Sequence, residues 1–380
     1  MRIGINLAVL HNLRTGVGHY TASLVAALLR CAPEMEWRLL ASSPQLREEF
    51  EGPNVRHVDG PILRGAARIA WEHTGLVRQA VTERLDVLHC PDFSRPLWAP
   101  CPVISTIHDL SYWQAGAWYP ALRRYYKRGL TRWSLGQSAA LIAVSRFTRQ
   151  EIETRFGTAV AAGVHVIHNG GPIVNAGRAE PATPPYLLCV GTLEARKNLL
   201  VLLRSFAQLR SATCPNLHLH LVGRPGHGWS DIAAALENHV ARAAITVHSY
   251  VDAGELARLY SGAMAVVHPS CYEGFGFPVL EAMALGVPVV CARAASLPEI
   301  AGTAALYFEP TDSSALTATL TQVLHDVALR TRLASDGQKR ARLFTWEACA
   351  HAHLAVYRFV HNSQRQPLPG NQHAYAHGIV

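Results

Sequence analysis

Short apolar runs alternate with helix-length segments along nearly the whole of this chain, and the alternation occurs twice, on either side of one breaker-rich seam. Residues 3–9 read as a buried strand, followed by Thr15-Gly16-Val17-Gly18 as a glycine loop and a helix from His19 to Arg30. Further strand-like runs follow at Trp37–Leu40, Asp86–His89, Val103–Ile107 and Ala140–Val144, separated by helical stretches such as Ala66–Glu83 and Arg146–Phe156. Strands that are apolar on both faces, with helices between them, imply a parallel sheet covered on both sides. Asn169-Gly170-Gly171-Pro172 and Pro181-Ala182-Thr183-Pro184-Pro185 then interrupt the pattern as an interdomain linker would. Beyond them the pattern restarts: strands Tyr186–Val190, Leu217–Val222, Ile245–His248, Ala265–His268 and Pro288–Cys291 alternate with helices Leu199–Arg210, Asp231–Val240, Ala253–Tyr260 and Phe277–Leu285. The expectation is an α/β chain of two Rossmann-like doubly wound domains. Residues 1–170 form the first, 171–185 a linker and 186–345 the second, with 346–362 a helix returning to the first and 363–380 a flexible tail.

A chain of 380 residues exceeds what one core usually serves, and 49% apolar against 16% charged residues suits a well-buried enzyme. No apolar run reaches membrane-spanning length, and the opening Met1-Arg2-Ile3-Gly4-Ile5 enters a strand pattern without the order of a secretion signal, so a cytoplasmic location is expected. The eight cysteines are scattered without a C-x-x-C pair and read as reduced core thiols. The net charge of +8 is uneven: residues 1–170 hold 19 basic against 13 acidic residues. The excess concentrates in Trp118–Arg128, continued by Arg132 and Trp133. Such a basic aromatic helix, residues 118–133, fits the anionic inner face of a plasma membrane as a peripheral contact. It fits equally a solvated helix whose aromatics pack inward.

The segment richest in chemistry is Tyr272-Glu273-Gly274-Phe275-Gly276-Phe277-Pro278-Val279-Leu280-Glu281, closed by Gly286-Val287-Pro288. Pro278 suits a first helical position, which puts Glu281 in the first turn and Glu273 in the loop before it. Both carboxylates then lie near a helix N-terminus preceded by Gly274 and Gly276, where exposed amides favour a phosphate. One carboxylate can accept from a ribose diol, the other from sugar hydroxyls beside a diphosphate. A second cluster, Gly191-Thr192-Leu193-Glu194-Ala195-Arg196-Lys197-Asn198, follows the first strand of the second half, at the carboxyl edge where open α/β sheets bind ligands. Arg196 can meet a diphosphate bidentately and Lys197 as a point charge, with Asn198 capping the next helix.

With Gly-Phe-Gly-Phe-Pro between them, Glu273 and Glu281 resemble the E-x7-E motif of the family 4 retaining glycosyltransferases of the two-domain GT-B type. The resemblance spans about residues 2–361. It implies two facing domains with the donor in the cleft, a nucleotide-sugar donor and a glycan or lipid-linked glycan acceptor. It implies that Arg196 and Lys197 neutralise the leaving diphosphate, that Glu273 orients the transferred sugar and stabilises its positive charge, and that Glu281 holds the ribose. Gly16 and Gly18 match the family's glycine loop near diphosphate and acceptor, Gly191 the donor-side turn, and Phe275 the donor loop. His108-Asp109, after strand Val103–Ile107, matches a His-Asp at the cleft edge, with His108 on the catalytic side and Asp109 toward the acceptor. Tyr250-Val251 matches the nucleobase site, and the serine of Val144-Ser145-Arg146-Phe147-Thr148 a structural cap. His108-Asp109-Leu110 with its Trp/Tyr-rich helix, and Leu297-Pro298-Glu299-Ile300-Ala301-Gly302, are similar to bacterial polysaccharide mannosyltransferases, which makes GDP-mannose the expected donor. UDP-glucose and dTDP-rhamnose fit the same motifs.

No D-x-D occurs, which disfavours a metal-held diphosphate; no cofactor or metal is expected, the nucleotide sugar being a co-substrate. A nicotinamide enzyme is disfavoured because G-x-G-x-x-G is missing after the first strand. Nucleic acid is disfavoured because the basic excess is modest and confined to one aromatic helix. A sugar-nucleotide epimerase of the same architecture stays open as the rival from another class.

Overall fold

The computed structural model describes residues 1–11, 16–63, 65–114, 118–172, 182–249 and 251–364. In the first lobe, β1 (Arg2–Asn6), β2 (Glu36–Ser42), β3 (Val55–Asp59), β4 (Val87–Cys90), β5 (Val103–Ile107), β6 (Ala140–Ala143) and β7 (Val164–Val166) form a parallel sheet in the order β3-β2-β1-β4-β5-β6-β7. Its helices are α1 (Gly16–Cys31), α2 (Pro44–Glu49), α3 (Gly65–Thr82), α4 (Ala121–Gln137), α5 (Arg146–Phe156) and α6 (Thr158–Ala162). The second lobe carries β8 (Tyr186–Val190), β9 (His218–Val222), β10 (Ile245–His248), β11 (Ala265–His268), β12 (Val289–Ala292) and β13 (Leu306–Phe308), parallel in the order β10-β9-β8-β11-β12-β13. With them come α7 (Leu199–Ala212), α8 (Trp229–Glu237), α9 (Ala253–Ser261), α10 (Phe277–Ala284), α11 (Leu297–Ala301), α12 (Ser313–His325) and α13 (Val327–Ala341). The last helix, α14 (Trp346–Ser363), crosses back and packs on α1, its Trp346, Leu354, Tyr357 and Val360 joining Ile3, Ile5, Leu24 and Leu28 in the first core.

Both sheets are doubly wound, so each has a switch point where the chain leaves one edge and returns to extend the other. In the first lobe it lies between β1 and β4, and in the second between β8 and β11. Loops leaving such neighbouring strands part company above the sheet and open a crevice at its carboxyl edge. The loops 191–198 and 269–276 are that pair in the second lobe.

Several local expectations are corrected. The first strand ends at Asn6, whose Oδ1 accepts from the Ala8 amide at 3.1 Å and turns the chain into a 3-10 segment, Ala8–His11. Helix α1 begins at Gly16, so Gly16 and Gly18 sit in its first turn and not in a loop ahead of it; Thr15 lies outside the described residues. Glu281 is the fifth residue of α10 and occupies its second turn. Asn198 precedes α7 in a left-handed conformation but makes no side-chain cap; its Nδ2 donates to the Pro269 and Pro310 carbonyls at 3.1 and 2.7 Å, tying three loops together. Residues 173–181 of the linker and 365–380 of the tail lie outside the described residues. All eight cysteines are unpaired.

Candidate active site

The 3-10 turn Ala195–Lys197 ends the loop after β8, and the loop after β11 brings Glu273 alongside it. Oε1 of Glu273 accepts from Lys197 Nζ, from His268 Nε2 at 3.0 Å and from Ser270 Oγ at 2.5 Å, while Oε2 accepts from Arg196 Nη1 at 3.1 Å. Burial alone would raise this carboxyl's pKa, but Lys197, Arg196 and His268 together hold it well below the usual range. Glu273 is therefore a fixed anion at neutral pH. Lys197 is pulled the other way, its pKa lowered by burial against the attraction of Glu273, and Arg196 is held firmly charged by Glu273, Glu194 and Asp109 despite its burial.

The cations are not used up by this contact. Arg196 Nη1 also donates to the Tyr272 carbonyl at 2.9 Å and Nε lies 2.5 Å from Glu194 Oε1, but Nη2 has no partner among the described residues. A guanidinium carries five N–H donors and an ammonium three. Both retain donors for an anion approaching the loop ends at which Gly191, Thr192, Lys197, His268 and Ser270 gather. Gly191 adopts φ +140°, a region only glycine occupies readily, which lets the chain turn directly off β8.

Glu281 stands apart from this cluster. It accepts from Tyr260 Oη at 2.7 Å, and burial raises its pKa. Val251, half-buried, packs on the second core, and Tyr250 lies outside the described residues.

The first lobe meets the Glu273 loop through backbone. A Cβ built on Gly274 would stand 1.8 Å from the His108 carbonyl oxygen and 3.0 Å from Asp109 Cβ, so glycine is required there for close approach. Ser145 caps α5, accepting from the Thr148 amide at 3.0 Å, and its hydroxyl donates to the Gly274 carbonyl at 2.7 Å. Glu299 of the second lobe accepts from the amides of Arg146 and Phe147 at 2.8 and 3.0 Å and pairs with His168 at 2.6 Å. The Leu110 amide donates to Tyr272 Oη at 3.2 Å. His108 bonds the Pro91 carbonyl through Nε2 at 2.9 Å and meets Tyr20 edge to face at 4.7 Å; burial lowers its pKa. Asp109 accepts from the Ser111 amide and hydroxyl at 3.0 and 2.7 Å; its pKa is lowered because Arg196, Lys127 and these bonds outweigh burial.

Among the residues singled out from sequence, Glu273, Arg196, Lys197, Gly191, Gly274, His108 and Asp109 thus converge where the lobes meet, with Phe275 and Gly276 continuing the same loop. His268, Ser270, Glu194 and Tyr272 were not singled out. His268 ends β11 and Ser270 follows two residues later, so the strand-end position that drew attention to His108 would have drawn it to them.

Helix α4 divides its faces. Lys127 lies 5.0 to 5.2 Å from the ring centroids of Phe93, Tyr112 and Tyr119, and Arg128 donates to the Tyr112 and Trp113 carbonyls. Leu122 and Tyr125 are 85% and 64% exposed, and Trp133 is exposed as well. No helix among the described residues is long and apolar enough to cross a membrane.

The chain matches two families in tandem: Glycosyltransferase Family 4 over residues 14–171 and Glycosyl transferases group 1 over residues 175–340. It is 30% identical over 375 residues to O-antigen chain mannosyltransferase B of Escherichia coli, covering 91% of this chain and 96% of that protein. It is 31% identical over 299 residues to a glycogen synthase of Mycobacterium tuberculosis, covering 75% and 72% respectively. Among solved structures, sucrose-phosphate synthase from Thermosynechococcus elongatus superposes with a TM-score of 0.77 at 21% identity, covering 96% of this chain and all of that one. Two doubly wound lobes, the two family matches in tandem and a relative aligned over most of both chains establish that the chain belongs to the family 4 glycosyltransferases of GT-B fold.

Proposed function

We propose that the protein transfers mannose from GDP-mannose, with retention of configuration and without a metal, to a hydroxyl of a lipid-linked oligosaccharide or polysaccharide precursor of a cell-surface glycan. The observation that carries this reading is the convergence of Arg196 and Lys197 on Glu273 at the second lobe's switch point, with N–H donors left over for a diphosphate. The bond from the anomeric carbon to the diphosphate oxygen breaks as the bond to the acceptor oxygen forms on the same face, and the acceptor's proton passes to the departing phosphate oxygen. Charge building on that oxygen is met by Arg196 and Lys197, fixed dipoles and cations being the strongest means of lowering such a barrier. Glu273 is assigned to the developing positive charge at the anomeric carbon. A carboxylate already engaged by four donors is a poor nucleophile, which favours same-face transfer over a covalent glycosyl-enzyme. Glu281 is assigned to the ribose, Gly16, Gly276 and Val251 to the donor, and His108, Asp109 and Gly18 to the cleft wall where acceptor and sugar meet.

Mannose is supported by the O-antigen relative, which aligns over nearly its full length. The glycogen synthase relative keeps a glucosyl donor such as UDP-glucose as the second reading. The exposed Leu122, Tyr125 and Trp133, with Arg123 and Arg132 on the same helix, support peripheral docking on anionic lipid, where each cation contributes about 1 kcal/mol. Thermal melting against a panel of nucleotide sugars identifies the donor, since only a ligand bound by the folded state raises the midpoint. Product NMR then reads the anomeric configuration: a β-linkage from an α-donor rules out retention, and loss of activity in EDTA rules out metal independence.

A further inference from the structure

The two oxygens of Glu273 are unequally engaged. Oε1 accepts three hydrogen bonds, from Lys197, His268 and Ser270, whereas Oε2 accepts one, from Arg196, among the described residues. A carboxylate oxygen offers about two lone-pair sites. Oε1 is therefore saturated, and Oε2 keeps capacity for a further donor.

We infer that His268 and Ser270 are positioning residues, which lock the Glu273 carboxylate through Oε1 so that Oε2 is the oxygen presented to the substrate. Both are rooted at the end of β11, a central strand of the second sheet, and both are fully buried, His268 at 1% and Ser270 at 0% exposure. His268 donates through Nε2, and its Nδ1 is buried without a partner among the described residues. The carboxylate acceptor places a ring hydrogen on Nε2, and burial lowers the ring's pKa, favouring the neutral form. An apolar side chain would fill the same space without orphaning an acceptor. The imidazole is accounted for by the one bond it makes to Glu273. Lys197 and Arg196 approach the carboxylate from the β8 loop, where Glu194 backs Arg196, so the cations set its charge while the two β11 groups set its rotation.

This inference rests on the assignment of Glu273 above, and the experiment separates the two. Steady-state kinetics with varied donor are compared for His268→Leu, His268→Gln, Ser270→Ala and Glu273→Gln in the full chain, each with a thermal melt. His268→Leu is expected to lower kcat on the order of 10- to 100-fold with donor KM within about threefold, as misorientation of a reacting group does. His268→Gln, whose amide can restore a donor near the Nε2 position, is expected to recover most of that loss. Equal impairment of the two His268 variants, or a loss confined to KM, overturns the inference. If Glu273→Gln is impaired while His268→Leu matches wild type, the positioning role alone falls. If Glu273→Gln itself matches wild type, the assignment of Glu273 falls. Should His268→Leu fail to fold, Ser270→Ala carries the same comparison: a drop in kcat at constant KM supports the role and wild-type kinetics refute it.

Discussion

Gly274→Ala should push the lobes apart at their seam while leaving the Arg196, Lys197 and Glu281 side chains in place. The new Cβ would stand 1.8 Å from the His108 carbonyl oxygen and 2.8 Å from its carbon, against ordinary contact beginning near 3.4 Å. Because the opposing atoms are backbone, no rotamer change relieves the clash. The β5 loop must retreat by about 1.5 Å, a small-to-large strain of roughly 1–3 kcal/mol. That retreat stretches the Ser145 hydroxyl's bond to the Gly274 carbonyl, now 2.7 Å, and carries His108 and Asp109 away from Glu273. A displacement of about 1 Å in a reacting geometry costs about 100-fold in rate. Donor affinity should change little, because Arg196, Lys197 and Glu281 all belong to the second lobe. The assay is kcat and donor KM alongside calorimetric donor Kd, with Gly136→Ala on α4 as control, since nothing lies within 4 Å of a Cβ there. A Gly274→Ala enzyme within twofold of wild type would refute the reasoning that this seam sets the catalytic geometry.

Three further outcomes follow from the same contacts. Glu281→Ala should raise donor KM by roughly 10-fold or more while changing kcat less, the loss of a charge-assisted or buried hydrogen bond being worth about 1.5–3 kcal/mol; unchanged nucleotide affinity removes the ribose assignment. The Glu299 carboxyl is lowered below its ordinary pKa because bonds from His168 and the Arg146 and Phe147 amides outweigh burial, so it stabilises the seam above about pH 4.3 and that contribution is lost as pH falls through the lower folded value. Melting curves from pH 7 to 3 should show this acid-labile component in wild type and lack it in Glu299→Gln; identical curves would contradict it. Tyr357→Phe removes the hydroxyl that shares a 2.7 Å hydrogen bond with His89 Nδ1 and leaves a buried ring nitrogen unpaired, at about 1–3 kcal/mol of stability; an unshifted melting midpoint would contradict the buried network joining α14 to the first sheet.

The central strands were legible because burial on both faces writes itself as continuous apolar sequence: Val103–Ile107 and Ala265–His268 have the same bounds in sequence and structure. Of the edge strands only β10, Ile245–His248, was. In β3, Val55-Arg56-His57-Val58-Asp59 is half exposed and mixes charge with apolar residues, and β7 and β13 span only three residues each. Likewise the Glu273 loop was legible because its glycines, proline and carboxylates act locally, through backbone conformation and helix-end amides. The contacts that complete the site were hidden because their partners are distant in sequence: Ser145 with Gly274, Glu299 with Arg146, Tyr272 with Leu110. Asn198 shows the limit of local reasoning, since its position suited a cap but two loop carbonyls claimed its amide.

Titration calorimetry of GDP, UDP and the matching nucleosides into wild-type and Lys197→Met protein asks whether the crevice after β8 holds a leaving diphosphate. A charge-assisted contact worth about 1.5–3 kcal/mol predicts that the preferred diphosphate binds the variant 10- to 150-fold more weakly while its nucleoside binds both proteins alike. Equal diphosphate affinity in the two proteins would contradict the assignment of Lys197, and with it the mechanism built on the cation pair.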